Sequence, residues 1–182
     1  MVFSSHVFIF AFLPLVLLGY YLLPRAVSGQ RLRRVQNLFL IAASLFFYGY
    51  FNVSYLLLIA ASILVNYALA RAIQDCRQQG LVKLCFILGV LFNILLIGYF
   101  KYYDFFIENI NFLFRSNFAL KHLLLPLGIS FFTFQQLSFL VSVYKEEEQA
   151  GDFVNYCVFV LFFPQLVAGP IVLYSENDPP VW

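Results

Sequence analysis

Uncharged polar residues recur inside the apolar second half of this chain. At about 100° per residue on a helix, Gln135, Ser138 and Ser142 fall on one face, and Ser130 lies on a neighbouring strip. Lipid cannot solvate an amide or a hydroxyl group, so such side chains usually meet other helices or line a polar channel. The sequence leaves both interpretations open: plain hydrogen bonding between helices, or the wall of a path through a membrane.

A second unusual stretch is residues 162–171 (FFPQLVAGPI), which contains two prolines and a glutamine. Neither Pro164 nor Pro170 can donate a backbone hydrogen bond, so a continuous helix would leave carbonyl groups free. Gln165 adds an amide that needs partners of its own. The pattern predicts a broken or re-entrant helix that lines a cavity, and a kinked structural helix is the alternative.

The motifs of a complete active site are missing. The sequence has no phosphate-binding glycine loop, no HExxH and no GxSxG, and its three cysteines have no metal-ligand spacing. His6 or His122 could act as a general base because histidine titrates near neutral pH. A histidine beside a lysine at a helix end is more often an interfacial residue, however. We therefore predict no catalytic residue, no metal site and no bound cofactor in this chain.

The composition is that of an integral membrane protein. The chain is 63% hydrophobic and only 11% charged, whereas soluble domains average about 45–50% apolar and about 25% charged residues. A net charge of +2 without a basic stripe argues against a nucleic-acid partner. No Lys or Arg precedes the first apolar run and no cleavage pattern follows it, so we expect a retained helix and not a signal peptide.

Hydropathy predicts five or six membrane spans, each of which needs about 20 apolar residues. The predicted segments are residues 7–23, 35–55, 53–71, 81–100, 123–144 and 153–167, the last of them shortened by Pro164. A very tight turn at Asn52 is predicted to join the second of these segments to the third. Residues 102–118 mix three charges with seven aromatic rings. This segment is typical either of a helix in the interface plane or of an aromatic-belt loop.

Basic residues divide unequally between the two sides of this arrangement. One side holds eight and the other three, so the positive-inside rule predicts that the N-terminus faces outward. The first set is Arg25, Arg31, Arg33, Arg34, Arg71, Arg77, Lys83 and Lys145, and the second is Lys101, Arg115 and Lys121.

Three segments resemble, in this order, the N-terminal part of the membrane-bound O-acyltransferase superfamily. They are the opening MVFSSHVFIFAFLPLVLLGYYLLP, the central LPLGISFFTFQQLSFLVSVYK, and FFPQLVAGPIVLY. The resemblance runs from Met1 to about Tyr174. It is greatest to the bacterial alginate O-acetyltransferase branch, with the teichoic-acid D-alanyltransferase as a more distant cousin.

The resemblance implies an all-α polytopic enzyme of the bacterial inner membrane. Such an enzyme moves an acyl group, here an acetyl group, to hydroxyls of an exopolysaccharide such as alginate. The family's helices surround a funnel, which a thioester or acyl-carrier donor enters from the cytoplasm while the acceptor approaches from the opposite face. The implied partners are the lipid bilayer, the polysaccharide acceptor and periplasmic acetyltransferase proteins. The candidate channel-lining residues are Ser130, Gln135, Ser138, Ser142, Gln165 and Tyr174.

The sequence also departs from this family. Members are usually more than twice as long, and the histidine taken as catalytic lies downstream of FFPQLVAGPI. We therefore expect residues 1–174 to form an incomplete funnel, the polar tail 175–182 to reflect a truncation, and this chain alone to be inactive. The family often has Asp where Ser142 stands and Arg where Leu173 stands. A non-catalytic component of a polysaccharide secretion complex and a transporter fragment remain alternatives.

Overall fold

The computed structural model describes residues 6–26, 30–162 and 164, and every regular element in these residues is a helix. The all-α prediction is therefore confirmed. A π-helical turn (Phe8–Phe12) continues into α1 (Leu13–Ala26). It is followed by α2 (Gln30–Phe51), α3 (Val53–Asp75), α4 (Gln79–Lys101), α5 (Tyr103–Phe114), α6 (Ile129–Tyr144) and α7 (Phe153–Leu161).

The centre of the bundle is the group α3, α4 and α6, which pack against one another, while α2 contacts α1, α3 and α7. The helices α4 and α6 approach closely at Gly89. A Cβ atom at this position would lie 2.8 Å from a Leu140 methyl group. Glycine therefore brings the two backbones together, as small residues do at helix interfaces in membranes.

Neighbouring helices alternate in direction, so the bundle has two distinct ends. The basic end collects the C-termini of α1, α3 and α6 and the N-termini of α2, α4 and α7. All eight basic residues that the sequence assigns to one side belong to this end. The other end, which we call the aromatic end, contains α5, the Asn52 turn and the segment that leads into α6. The predicted separation of charge is thus present in the fold.

The outer surface of the long helices is apolar. Helices α3 and α4 are long and apolar enough to cross a membrane, and only 28% and 11% of their most apolar windows are buried. Leu57 and Leu95 are among the exposed side chains. Soluble monomers rarely expose contiguous apolar surface of this kind, whereas lipid tails accommodate it. Within the described residues, α6 and residues 8–24 form shorter apolar helices, and the count of five or six spans stays a prediction.

The predicted tight turn at Asn52 is confirmed. Asn52 is the single non-helical residue between α2 and α3, and its backbone is extended at φ −164°. Its side-chain oxygen accepts a hydrogen bond of 2.9 Å from the Ser54 backbone N–H, which is a free donor in the first turn of α3. The Asn52 side chain therefore acts as the N-cap of α3.

The predicted start of the fifth apolar helix was wrong. Helix α6 begins at Ile129 and not at residue 123, because Gly128 has a left-handed backbone (φ 69°) and a turn links Ile129 N–H to the Pro126 carbonyl. The 16-residue helix is about 24 Å long. Helix α2 was also underestimated, since it begins at Gln30 and includes Arg31, Arg33 and Arg34.

The predictions for α5 and α7 are each confirmed in part. Residues 102–118 contain a helix, Tyr103–Phe114, with no buried residue, which decides against a loop; its location in a membrane interface stays a prediction. Helix α7 ends at Leu161, three residues before Pro164, so its regular part is as short as predicted. Most of residues 162–171, the predicted broken helix, lie outside the described residues.

Candidate functional site

Four buried polar side chains meet where α3, α4 and α6 pack together. Ser62, Asn66, Asn93 and Gln136 have essentially no solvent exposure. Ser62 Oγ donates to Gln136 Oε1 at 2.8 Å, and Asn66 Nδ2 donates to the same oxygen. Gln136 of α6 is thereby fixed against α3 by two hydrogen bonds.

Asn93 connects α4 to this network. Its Nδ2 donates to Asn66 Oδ1 at 2.6 Å and to the Gly89 carbonyl at 2.8 Å, one turn back on its own helix. Asn66 Nδ2 also donates to the Ser62 carbonyl at 3.0 Å. Since Asn66 Nδ2 also lies 3.4 Å from Asn93 Oδ1, each amide oxygen of the network has a donor.

The structure separates the residues predicted to line a channel. Gln135 is only 2% exposed and Ser142 is also buried, whereas Ser130 and Ser138 are half-buried. Gln165 and Tyr174 lie outside the described residues. The Ser142 carbonyl accepts hydrogen bonds from the Glu147 and Glu148 backbone N–H groups, so this residue helps to end α6. A channel-lining role for all six residues stays a prediction.

Sequence reasoning missed the residues that form the network. It selected Gln135, but Gln136, about 100° further around α6, is the residue that contacts α3 and α4. Asn66 and Asn93 are isolated amides in apolar helices, and Ser62 precedes Asn66 by one helical turn. These isolated amides could have been used to predict the network, since an amide at membrane depth requires a hydrogen-bond partner.

In the part of the chain that the structure describes, some buried polar atoms on α2 and α6 have no hydrogen-bond partner. They are Ser44 Oγ and Tyr48 Oη on α2, and Gln135 Oε1 and Gln136 Nε2 on α6. A buried group without a partner costs about 1–3 kcal/mol, so each such atom calls for a functional or structural explanation. On α6 the two atoms belong to adjacent residues, and Thr133 and Ser142 of the same helix are also buried.

A cleft with a volume of about 780 Å³ opens at the basic end. The ends of α3, α4 and α6 and the segment after α6 surround it, and Gln74, Arg77, Lys83 and Glu148 are among its lining residues. The segment after α6 is fastened to α3. Gln74 Oε1 accepts from Ala150 N–H at 2.8 Å, and Tyr67 Oη donates to the Gly151 carbonyl at 2.8 Å.

The cleft is lined by charged residues of both signs. Arg77 belongs to the α3–α4 connection and Lys83 to α4, and Glu146 and Glu148 belong to the segment after α6. Among the described residues none of these four forms an ion pair, although neighbouring Lys145 and Glu147 do so at 3.7 Å. A guanidinium and an ammonium without acidic partners are suited to a phosphate or carboxylate group.

Both histidines lie outside the buried interior. His6 is exposed at the start of the first helix, and His122 is 79% exposed at the aromatic end, with Nδ1 4.0 Å from Asp104 Oδ2. Neither touches the buried network or the cleft. In the described ranges no three residues of the types His, Cys, Asp and Glu converge into a possible metal site.

Known proteins similar to this chain are O-acetylation enzymes by name. It is 39% identical, over 98% of its length, to a Helicobacter pylori protein named peptidoglycan O-acetyltransferase, of which the match covers 38%. It is 38% and 37% identical to Pseudomonas aeruginosa and Azotobacter vinelandii proteins named probable alginate O-acetylase AlgI, over 97% of its own length in each case and 34% and 35% of theirs.

The chain thus spans little more than a third of the length of these relatives. No protein-family model and no solved structure matches it. Identity of this level over almost the whole chain confirms the resemblance found in the sequence motifs. The chain belongs to the membrane-bound O-acyltransferase family.

Proposed function

We propose that this chain is part of an inner-membrane enzyme that transfers an acetyl group from a thioester donor to a hydroxyl group of an exopolysaccharide such as alginate. The observation that carries the proposal is the 38–39% identity to proteins named peptidoglycan O-acetyltransferase and probable alginate O-acetylase. The name alginate O-acetylase, borne by other relatives, describes the same type of transfer to a second polymer.

The distribution of charge supports an orientation for this enzyme. Lysine and arginine are retained on the cytoplasmic side of bacterial membranes, so we place the basic end in the cytoplasm and the N-terminus in the periplasm. The aromatic end then faces the periplasm, where the acceptor polymer and periplasmic acetyltransferase partners would be met.

The cleft at the basic end is our candidate entrance for the donor. Acyl groups are carried as thioesters of phosphate-bearing thiols, and the unpaired Arg77 and Lys83 offer cations for such phosphates. The cleft lies at the cytoplasmic end in the proposed orientation. We propose that Gln135, buried with Oε1 unpartnered, lines the path that leads inward, together with Ser130, Ser138, Ser142, Gln165 and Tyr174.

The proposed reaction is an ordinary acyl transfer. The acceptor oxygen attacks the thioester carbonyl carbon while its hydroxyl proton passes to a general base, and the carbon–sulfur bond breaks to release a thiolate. The base then returns the proton to this thiolate, which leaves as a thiol. His122 lies at the end opposite the cleft and His6 is exposed on the first helix, so we assign the base to neither. The chain's contribution is to bind the donor and to position it.

A chimaera tests the proposal. The segment of the Helicobacter pylori relative that aligns with this chain would be replaced by residues 1–182, and the protein expressed in cells that lack the relative. We expect alkali-labile acetyl esters to reappear on the cell-wall polymer. The double variant Arg77→Glu with Lys83→Glu should lower them about tenfold, since both cations of the cleft are reversed.

The matched control is Arg33→Glu with Arg34→Glu, which makes the same charge change at the same end but away from the cleft. Chimaera levels in the membrane are measured for every variant. A chimaera that accumulates normally but forms no acetyl esters would contradict the proposed function. Equal effects of the two double variants would contradict the placement of the donor.

A further inference from the structure

At the aromatic end, the ammonium group of Lys121, in the loop between α5 and α6, lies over two tyrosine rings. The Lys121 ammonium lies 5.1 Å from the centre of the Tyr99 ring and 4.8 Å from that of Tyr103, and it donates to Tyr99 Oη at 3.2 Å. Asp104 and His122 are immediate neighbours. We call these five residues the aromatic–basic platform.

The loop that carries Lys121 is held in place by side chains of α5. Asp104 Oδ1 accepts from the Lys121 backbone N–H at 2.8 Å. Asn111 makes two hydrogen bonds of 2.9 Å to the Phe118 backbone, one to its carbonyl and one from its N–H. Because the ammonium is already positioned, a ligand that binds it does not have to order a flexible side chain.

The platform remains charged and open to solvent. Lys121 and His122 are exposed, and Tyr99 is 44% exposed. Donation to the Tyr99 hydroxyl raises the pKa of the Lys121 ammonium above its ordinary value. One of the three N–H groups of the ammonium is used by Tyr99, so the others can bind an anion.

The chemistry of the platform selects among anionic ligands. A lysine that only follows lipid phosphates extends along the helix surface towards the headgroups. Lys121 is instead folded onto two rings, beside a carboxylate and an imidazole that can bind hydroxyl groups. A carboxylate surrounded by hydroxyl groups is the repeating feature of acidic sugars, and it matches this set of donors and acceptors.

We propose that the aromatic–basic platform binds the carboxylate groups of an acidic polysaccharide, with Lys121 as the anchoring cation. The inference rests on the proposed function, because it is the acceptor side of that reaction that would need such a site. It goes further in assigning the recognition of the polymer's carboxylate groups to named residues of this chain.

Binding can be measured without acetyl transfer. The chain would be placed in nanodiscs of zwitterionic lipid and titrated into a fluorescent oligouronate, with fluorescence anisotropy as the readout. We expect saturable binding that is lost when the carboxylates are methyl-esterified. Lys121→Gln should weaken it about tenfold, and Tyr99→Phe, which removes only the hydroxyl that holds the ammonium, should weaken it about threefold.

Lys101→Gln is the matched control, since it removes the same charge from the same end but from a lysine that lies over Tyr102. It should leave binding nearly unchanged. Equal weakening by Lys101→Gln and Lys121→Gln, or equal binding of the esterified oligomer, would overturn the proposal. So would Lys121-dependent binding to phosphatidylglycerol vesicles without binding to the oligouronate. None of these outcomes bears on whether the chimaera transfers acetyl groups.

Discussion

Gln136 is the residue through which three helices are joined by polar contacts. Its Oε1 takes donors from Ser62 and Asn66, and Asn66 passes the connection on to Asn93. The adjacent Gln135 is equally buried but has an unpartnered oxygen. A helical projection of the sequence shows which residues share a face, but it does not show which face meets which helix. For this reason Gln135 could be selected from the sequence while the bonding of Gln136 could not.

We expect Asn93→Leu to destabilise the bundle by about 1–2 kcal/mol. The substitution leaves Asn66 Oδ1 buried without its 2.6 Å donor. Denaturant unfolding in detergent provides the measurement. The control is Asn109→Leu, since Asn109 is exposed and bonds only to the Phe105 carbonyl of its own helix. Equal stability of the two variants would show that the network contributes nothing.

Glu146 occupies a backbone position that favours glycine. Its φ is 60°, its N–H bonds to the Val143 carbonyl, and the Glu147 N–H bonds to the Ser142 carbonyl, which is the Schellman pattern of a helix end. Glu146→Gly should raise stability by about 0.5–1 kcal/mol, because left-handed strain is relieved. Thermal unfolding measures the change. Glu147→Gly, at a position without positive φ, should lower the melting temperature, and a rise in both variants would refute the explanation.

At the scale of the helices, hydropathy located the apolar segments well because each extends over many residues. Its errors arose where one or two residues decide the backbone. Helix α6 cannot begin before Gly128, because this residue has a left-handed backbone. The turn just before the helix is closed by a hydrogen bond from the Ile129 N–H to the Pro126 carbonyl. The turn between α2 and α3 was better predicted, since Asn52 interrupts an apolar stretch that is too long for one helix.

The cap at Asn52 gives a prediction for the α2–α3 pair. Asn52→Ala removes the oxygen that accepts the Ser54 N–H, and we expect a loss of about 1 kcal/mol in unfolding free energy. Gln78→Ala is the comparison, because Gln78 also precedes a helix but makes no side-chain capping bond. Chemical denaturation of both variants tests this. If Gln78→Ala is as harmful as Asn52→Ala, the capping bond is not the cause.

Considered as a whole, the molecule buries several polar side chains within a mainly apolar core, and its outer surface is apolar as well. The amides of α3, α4 and α6 are buried, while leucines and phenylalanines cover the exterior. Composition alone predicted the membrane environment, and the count of lysines and arginines predicted two unlike ends. The cleft could not be predicted, because it depends on how the segment after α6 is fastened to α3 through Gln74 and Tyr67.

The proposed orientation can be tested with cysteine labelling. A variant that retains only Cys76, made by Cys85→Ala and Cys157→Ala, should react with a membrane-impermeant maleimide in inverted vesicles and not in intact cells. Cys76 lies beside the cleft at the basic end. In a cysteine-free background, Asn117→Cys in the loop of the aromatic end should show the reverse pattern. Labelling of both from the same side would rule out this orientation.

The single residue between α2 and α3 also constrains how the protein is made. With Asn52 alone as connection, a ribosome-bound chain has no loop at which one helix could settle before the next emerges. In the predicted arrangement, where both segments span the membrane, we expect them to leave the insertion machinery together as a helical hairpin. Its tip carries no charged side chain from Leu45 to Ala70, so its translocation faces no ionic desolvation barrier.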